Sequence, residues 1–338
     1  MAQKENIFLR NNFDLIRFIL AFIVMLVHSA ALSNNSELNF INKILGDLSV
    51  KCFFVISGFL VMMSYEKANT IQEYFSRRIR RIYPGYFTVI IITSLLGFVF
   101  STNSFQSYFS YNWIKYILAN LSFMNFLHPD LPGVFSRNSN TSVNGALWSL
   151  KIEVMFYILI PFISLISKKY GHFKIVVLLY VFAYIYKDYI LNLFHLYNPE
   201  FARQLPGQLS YFSLGIAGFY FYKKIGKIKT NIIWILIVLA TLYNIFGLEY
   251  IEPIILAFFI FYLAFCIPYL GRFSKYGDLS YGLYIIHFPV IQALVSLNLF
   301  TETPFYSVLL AGFISISGSY ALWHLVEKRF LNPKSHYI

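Results

Sequence analysis

The chain has 338 residues, of which 58% are hydrophobic and only 12% are charged. Soluble domains carry about 25% charged residues, so this composition excludes an ordinary soluble enzyme and predicts a polytopic membrane protein, with residues 1–338 forming one domain. The net charge of +12 falls largely in segments beside apolar runs, which is typical of membrane anchoring and does not indicate nucleic-acid binding.

Ten apolar runs approach the length of about 20 residues that a helix needs to cross a lipid bilayer. They predict an all-α bundle with spans at 13–32, 47–65, 84–101, 146–167, 173–190, 207–222, 231–248, 251–270, 279–299 and 305–325. A shorter stretch, 113–127, contains two asparagines and predicts an interfacial or re-entrant helix. Lysine and arginine concentrate on one side of this arrangement, which places both termini in the cytoplasm and the protein in the inner or plasma membrane.

The first span carries two ionisable residues, Arg17 and His28, at membrane depth. Such groups are costly in a bilayer and usually mark a functional site. A separation of eleven residues is about three helical turns, so both side chains project from one face, roughly 16 Å apart along the axis. Asp14 lies on nearly the same face and is expected to pair with Arg17.

The segment after the second span is arginine-rich and is predicted to be an inner loop, with Pro84 opening the third helix. Its cations include Arg77, Arg78 and Arg81. One interpretation is that they only anchor the topology. The other is phosphate binding, because the planar guanidinium group forms bidentate hydrogen bonds with phosphate. A cytoplasmic molecule with several phosphates, such as coenzyme A, is a natural ligand.

The fourth span contains an intramembrane carboxylate, Glu153, which is a functional candidate unless it merely pairs with Lys151 or another helix. Trp148 and Ser149 in the same segment are further candidates, although Trp148 is also explained as an interfacial aromatic.

The ninth span contains His287, either a packing residue or a functional one. Glu327, beyond the tenth span, is expected to pair with Lys328 or Arg329 if its role is structural. The remaining histidines show no ligand spacing with acidic residues or cysteines, so no metal site is expected. They are His128, His172, His195, His324 and His336.

Taken in chain order, these segments resemble the acyltransferase 3 family of integral membrane acyltransferases, over almost the whole chain. The matching positions are Asp14, Arg17 and His28; residues 53–59; Arg77, Arg78, Arg81 and Pro84; residues 147–150 with Glu153, Phe156, Tyr157 and Pro161; and Ser280, Tyr281, Tyr284, His287 and Pro289. Two positions depart from the family pattern: Val154 stands where a second carboxylate is common, and Arg80 is an additional cation.

The resemblance implies transfer of an acyl group, commonly acetyl, from cytoplasmic acyl-coenzyme A to a hydroxyl of an extracytoplasmic glycan or lipid-linked sugar. Joined to the helix geometry, it suggests that Arg77, Arg78 and Arg81 bind the nucleotide phosphates while Arg17 steadies the donor. His28 then acts as general base, or carries the acyl group transiently. Glu153 either orients His28 or grips the sugar.

A transporter or flippase for a lipid-linked sugar is the alternative hypothesis. Arg17, His28 and Glu153 would then form a polar pathway, since buried charges serve transport equally well. The sequence shows no paired, Gly/Pro-interrupted segments at matching positions of two halves, which disfavours this alternative.

Overall fold

The computed structural model describes residues 11–45, 48–195, 199–225, 241, 243, 249–271 and 273–331. These residues are mostly helical, and their only extended pairing is an isolated antiparallel bridge between Ser101 and Val134. The predicted all-α, polytopic fold is therefore confirmed.

The longer helices are labelled in chain order. They are α1 Phe13–Ser33, α2 Leu48–Glu66, α3 Ile71–Leu96, α4 Tyr111–Leu121, α5 Trp148–Tyr170, α6 His172–Ile185, α7 Leu205–Ile225, α8 Glu252–Phe261, α9 Leu279–Ser296 and α10 Pro304–Leu322. Short α-helical pieces lie at Asn39–Leu45, Phe105–Tyr108, Leu191–Leu193, Pro199–Ala202, Leu299–Glu302 and Lys328–Phe330. Short 3₁₀ turns lie at Ser36–Leu38, Gly97–Phe100, Gly145–Leu147, Glu249–Ile251 and Phe273–Tyr276. Wider π-helical turns extend α6, α8 and α10 at Tyr186–Ile190, Tyr262–Cys266 and Trp323–Glu327.

Eight helical segments of the described part are long and apolar enough to cross a membrane, so the chain is a multi-pass membrane protein. They correspond to eight of the ten predicted spans. The predicted span 207–222 is helix α7, which has 21 residues. The predicted span 231–248 lies largely outside the described residues. The stretch 113–127 forms only the 11-residue helix α4, which is too short to span a bilayer, as predicted.

The prediction of an arginine-rich inner loop is wrong, because α3 begins at Ile71 and carries the arginines on its first turns. The physical reason is a capping box upstream of them. The Glu73 backbone N–H donates to Thr70 Oγ1 (3.1 Å), and the Glu73 carboxylate accepts from the Asn69 backbone N–H (2.8 Å). Pro84, predicted to open the helix, lies inside it.

The fold divides into two compact units. The first comprises Met1–Ile16, Val50–Phe75 and Ile152–Gly271. In it, α2 and α7 approach closely at two glycines: a Cβ built on Gly58 would lie 2.1 Å from the Phe212 carbonyl oxygen, and one on Gly215 would lie 2.1 Å from the Val55 carbonyl oxygen. Small residues are what allow membrane helices to pack backbone against backbone.

The second unit comprises Arg17–Ser49, Ser76–Lys151 and Arg272–Ile338, and most of the sequence-predicted site residues lie in it. Helices α9 and α10 pack closely against each other in this unit. A Cβ on Gly282 of α9 would lie 2.5 Å from Ser319 Oγ of α10, and that hydroxyl donates to the Leu279 carbonyl (2.7 Å). These contacts hold α9 in register, which matters because α9 carries His287.

Candidate active site

A buried network of four charged side chains lies at the start of α9. Arg17 Nη1 donates to Asp278 Oδ2 (2.9 Å), and Arg81 Nη2 donates to the same oxygen. Arg81 Nη1 also donates to Glu327 Oε2 (3.1 Å). The Asp278 and Glu327 side chains are each only 2% exposed, and those of Arg17 and Arg81 are 15% and 9% exposed, so two guanidinium groups pair with two carboxyl groups in a nearly buried cluster.

Asp278 also caps α9, since its side chain accepts from the Ser280 hydroxyl (2.6 Å) and the Ser280 backbone N–H (3.3 Å). Burial pushes the pKa of Asp278 upward. The guanidinium groups of Arg17 and Arg81, with the Ser280 hydroxyl, outweigh that effect and hold the pKa below its usual range. Asp278 is therefore ionised in the folded protein at neutral pH.

Local backbone features bring Arg81 and Glu327 together. Glu327 ends the π-helical turn Trp323–Glu327, whose wider winding changes the direction of its side chain relative to a regular helix. On α3, Gly85 leaves room for it: a Cβ there would lie 3.2 Å from Glu327 Oε1. The expected pairing of Glu327 with Lys328 or Arg329 is replaced by this long-range pair with Arg81.

Helices α1 and α9 make a further contact through two histidines, His28 of α1 and His287 of α9. His28 Nδ1 lies 2.7 Å from His287 Nε2, and the ring planes are inclined by only 13° with centroids 5.0 Å apart. His287 is fully buried, and its Nδ1 lies 3.0 Å from the Leu283 carbonyl oxygen. The Phe288 ring contacts His28 edge-on, with centroids 5.2 Å apart.

The two contacts between α1 and α9 show that these helices run in the same direction. Arg17 precedes His28 along α1, and its partner Asp278 likewise precedes His287, the partner of His28. The predicted common face of Arg17 and His28 is thereby confirmed, because both side chains reach the same neighbouring helix. Spans one and nine of the predicted order are both odd-numbered and must share a direction, as they do here.

Tyr284, one turn before His287 on α9, pairs its hydroxyl group with that of Ser149 on α5. Tyr284 OH and Ser149 Oγ are 2.5 Å apart, and each lies 3.3 Å from the Ala146 carbonyl oxygen. The Tyr284 and His287 rings are 5.9 Å apart between centroids. Ser149 is therefore near the imidazole pair through Tyr284, while Trp148 is half-buried as the first residue of α5.

The polar loop that precedes α5 is fastened to α9 by amide side chains. Pro289 has no N–H, so the Ile285 carbonyl lacks its helical donor, and Asn144 Nδ2 donates to it instead (2.8 Å). One turn further on, the fully buried Gln292 donates to the carbonyls of Asn140 (2.7 Å) and Ser142 (2.8 Å). These bonds fix the segment that leads into Ser149.

The other predicted site residues take separate positions. Arg77 and Arg78 are half-buried on α3, whereas the neighbouring Arg80 is exposed. Asp14 and Glu153 belong to the first unit. There, the Glu153 carboxylate accepts a 2.5 Å hydrogen bond from the Tyr157 hydroxyl one turn along α5.

Sequence reasoning missed Asp278 altogether and gave Glu327 the wrong partner. An aspartate followed two residues later by Ser280 at the start of an apolar run is an N-cap signal, and it was available in the sequence. Within the described residues, no group of three or more His, Cys, Asp or Glu side chains is arranged to hold a metal ion.

Comparison with known proteins identifies the family. A family model described as an acyltransferase domain matches residues 10–324. The chain is 28% identical to an O-acetyl transferase of Shigella phage Sf6, over 96% of this chain and 97% of that protein. It is 25% identical to Nodulation protein 10 of Rhizobium leguminosarum bv. viciae, over 86% of this chain and 85% of that protein.

Peptidoglycan O-acetyltransferase OatA of Listeria monocytogenes matches a shorter stretch, 27% identical over 37% of this chain and 21% of that protein. No solved structure matches significantly. Since the family model covers nearly the whole chain, this protein belongs to the acyltransferase 3 family of integral membrane acyltransferases.

Proposed function

We propose that the protein transfers an acyl group, most simply acetyl, from cytoplasmic acyl-coenzyme A to a hydroxyl of an extracytoplasmic glycan or lipid-linked sugar. The protein would lie in the inner or plasma membrane with both termini in the cytoplasm. One observation carries the proposal: an imidazole pair, His28 with His287, sits inside the same unit as an arginine-rich helix. The names of the phage and Listeria relatives support O-acetyl transfer, and the Listeria name, a peptidoglycan O-acetyltransferase, supports a glycan acceptor.

Donor binding is assigned to the start of α3. The charge of Arg81 is already offset by the carboxyl groups of Asp278 and Glu327, so we assign phosphate binding chiefly to its neighbours Arg77 and Arg78. Arg81, together with Arg17, then acts by fixing the inner ends of α1, α3 and α9. The extended pantetheine arm of coenzyme A has a reach comparable to the roughly 16 Å between Arg17 and His28 along α1.

The reaction itself needs a base at the acceptor hydroxyl, and His28 is that base in this proposal. Its imidazole removes the hydroxyl proton as the oxygen attacks the thioester carbonyl, forming the new C–O bond. Collapse of the tetrahedral intermediate breaks the C–S bond, and the proton on His28 passes to the departing thiolate. The products are the sugar ester and coenzyme A with a free thiol, and His28 returns to its neutral state.

A covalent variant uses the same atoms in two steps. The neutral imidazole attacks the thioester, and coenzyme A leaves with the ring proton as the C–S bond breaks. The sugar hydroxyl then attacks the acyl-imidazole, the C–N bond breaks, and the hydroxyl proton returns to the ring.

The test uses purified protein in lipid, with labelled acetyl-coenzyme A and a deacetylated surface glycan of the host. We expect release of coenzyme A that depends on added glycan, with label recovered as a base-labile ester on the glycan. A transporter or flippase would move lipid-linked sugar without releasing coenzyme A, and that result would refute the proposal. Loss of ester groups from the host polysaccharide on deletion of this protein is the matching cellular result.

A further inference from the structure

We propose that His287 is the positioning residue for His28: its Nε2 accepts a hydrogen bond from His28 Nδ1–H and so places the basic lone pair of His28 on Nε2. This inference rests on the proposed function, in which His28 acts on the acceptor hydroxyl. It assigns to His287 a role distinct from both helix packing and direct contact with substrate.

The first step is the tautomer of His287. Its Nδ1 lies 3.0 Å from the Leu283 carbonyl oxygen, and a carbonyl oxygen can only accept a hydrogen bond. The ring hydrogen must therefore sit on Nδ1. His287 is fully buried, where an unpaired charge is costly, so the ring is neutral and carries one hydrogen only. Its Nε2 is left with a lone pair.

The second step follows for His28. The 2.7 Å contact between His28 Nδ1 and His287 Nε2 requires one donor, and His287 Nε2 has no hydrogen to give. His28 Nδ1–H is therefore the donor, and in the neutral His28 ring the lone pair resides on Nε2. The bond is well aligned: nearly parallel planes and a 5.0 Å centroid separation place it in the plane of both rings, along the nitrogen lone pair.

The third step concerns the charged state. When His28 Nε2 takes a proton, the ring becomes an imidazolium whose Nδ1–H still points at the lone pair of His287, so the developing positive charge gains a stronger hydrogen bond. In hydrolases with a Ser-His-Asp triad a carboxylate does this work. Here a neutral partner does it, which avoids keeping a further unpaired charge at membrane depth in the resting enzyme. Phe288, edge-on to His28, limits rotation of the same ring.

Substitution of His287 by glutamine or asparagine separates positioning from packing. A glutamine amide reaches the place of Nε2, so His287→Gln can still accept from His28. An asparagine amide reaches only the place of Nδ1, so His287→Asn can keep the bond to Leu283 but not the bond to His28. We expect His287→Gln to retain kcat within about tenfold and His287→Asn to lose about 100-fold or more, with the donor KM of both near that of the natural protein.

A second arm places each substitution in a His28→Ala background. If His287 acts only through His28, His287→Asn should cause no further loss there, since residues that act as a unit are non-additive. All rates are taken per amount of monodisperse protein. Equal activity of His287→Gln and His287→Asn, or a further loss in the His28→Ala background, overturns the positioning role. Full activity of His28→Ala alone instead overturns the proposed function, so the two failures are distinguishable.

A spectroscopic arm needs no change at His287. Nitrogen NMR of histidine-labelled protein, with His28 assigned by its loss in His28→Ala, reports which ring nitrogen holds hydrogen. The proposal expects hydrogen on Nδ1 and none on Nε2 at pH 8 or above. Hydrogen on Nε2 would contradict it, whatever the stability of the variants.

Discussion

Replacing Asp278 by asparagine should destabilise the protein by removing one charge from the buried network. The side chain is only 2% exposed and receives donors from both Arg17 and Arg81. Asparagine is about as good an N-cap as aspartate, so the cap of α9 survives and the change isolates the charge. Removing one partner of a buried ion pair costs about 3–5 kcal/mol, because the other charge is left uncompensated.

The assay is thermal unfolding in detergent followed by size-exclusion chromatography. At about 2 °C per kcal/mol for a large chain, Asp278→Asn should lower Tm by about 6–10 °C. The matched control is Glu66→Gln, which removes one partner of the 2.9 Å Lys223–Glu66 pair, where the lysine side chain is 54% exposed. Exposed pairs contribute about 1 kcal/mol or less, so the control should lose about 2 °C at most. Equal shifts for the two variants would refute the reasoning.

The same substitution has a defined pH dependence. The pKa of Asp278 is held below its usual range in the folded protein, so its contribution to stability is fully present above about pH 4, the ordinary aspartate pKa. That contribution falls as the pH drops through the folded-state pKa. The Tm difference between the natural protein and Asp278→Asn should therefore narrow as the pH falls below about 4. A difference that widens below that pH would contradict the charge assignment.

Three further predictions test the packing and the donor site. Gly58→Ala should abolish accumulation of folded protein, because its Cβ would lie 2.1 Å from a backbone carbonyl oxygen of α7; fluorescence-detected chromatography of membranes measures this. Asn144→Ala removes the donor to the Ile285 carbonyl and should lower the free energy of unfolding by about 1–3 kcal/mol. In a Pro289→Ala background the restored backbone N–H supplies that donor, so Asn144→Ala should cost much less. Additive losses in the double variant would argue against this bond. Arg78→Ala should raise the KM for the acyl donor about tenfold or more, because a charge-assisted hydrogen bond to phosphate is lost. The control Arg80→Ala, at an exposed position, should change this KM little. An unchanged donor KM in Arg78→Ala would mean that Arg78 only anchors the membrane topology.

Local features of this fold were accessible to sequence reasoning because they depend on periodicity. The eleven-residue spacing of Arg17 and His28 correctly predicts a common face, since 3.6 residues per turn decides it. The interruption of 113–127 by asparagines correctly predicts a short helix, α4. Apolar run length alone located the eight confirmed spans.

The partners of the buried charges were not accessible, because they are distant in sequence. Arg17 and Asp278 are separated by 261 positions, and Arg81 and Glu327 by 246. Nearest-neighbour reasoning therefore assigned Glu327 to adjacent cations. The pairing of His28 with His287 is likewise set by the parallel packing of α1 and α9, which no local pattern encodes.

The position of the arginines illustrates a different failure. Hydropathy placed the start of the third helix near Pro84, where the apolar run begins. The first turns of α3 carry arginines and do not belong to that run, so hydropathy did not identify them as helix. The capping box at Thr70 and Glu73 carried the correct information, and it starts α3 at Ile71.

The central claim is that the imidazole of His28 performs acyl transfer, and one rate comparison tests it most directly. Glycan-dependent release of coenzyme A is measured for the natural protein and for His28→Ala in the same lipid, at equal amounts of monodisperse protein. Loss of a positioned general base predicts a fall of about 10²–10⁴-fold in kcat. An unchanged kcat in His28→Ala would contradict the account.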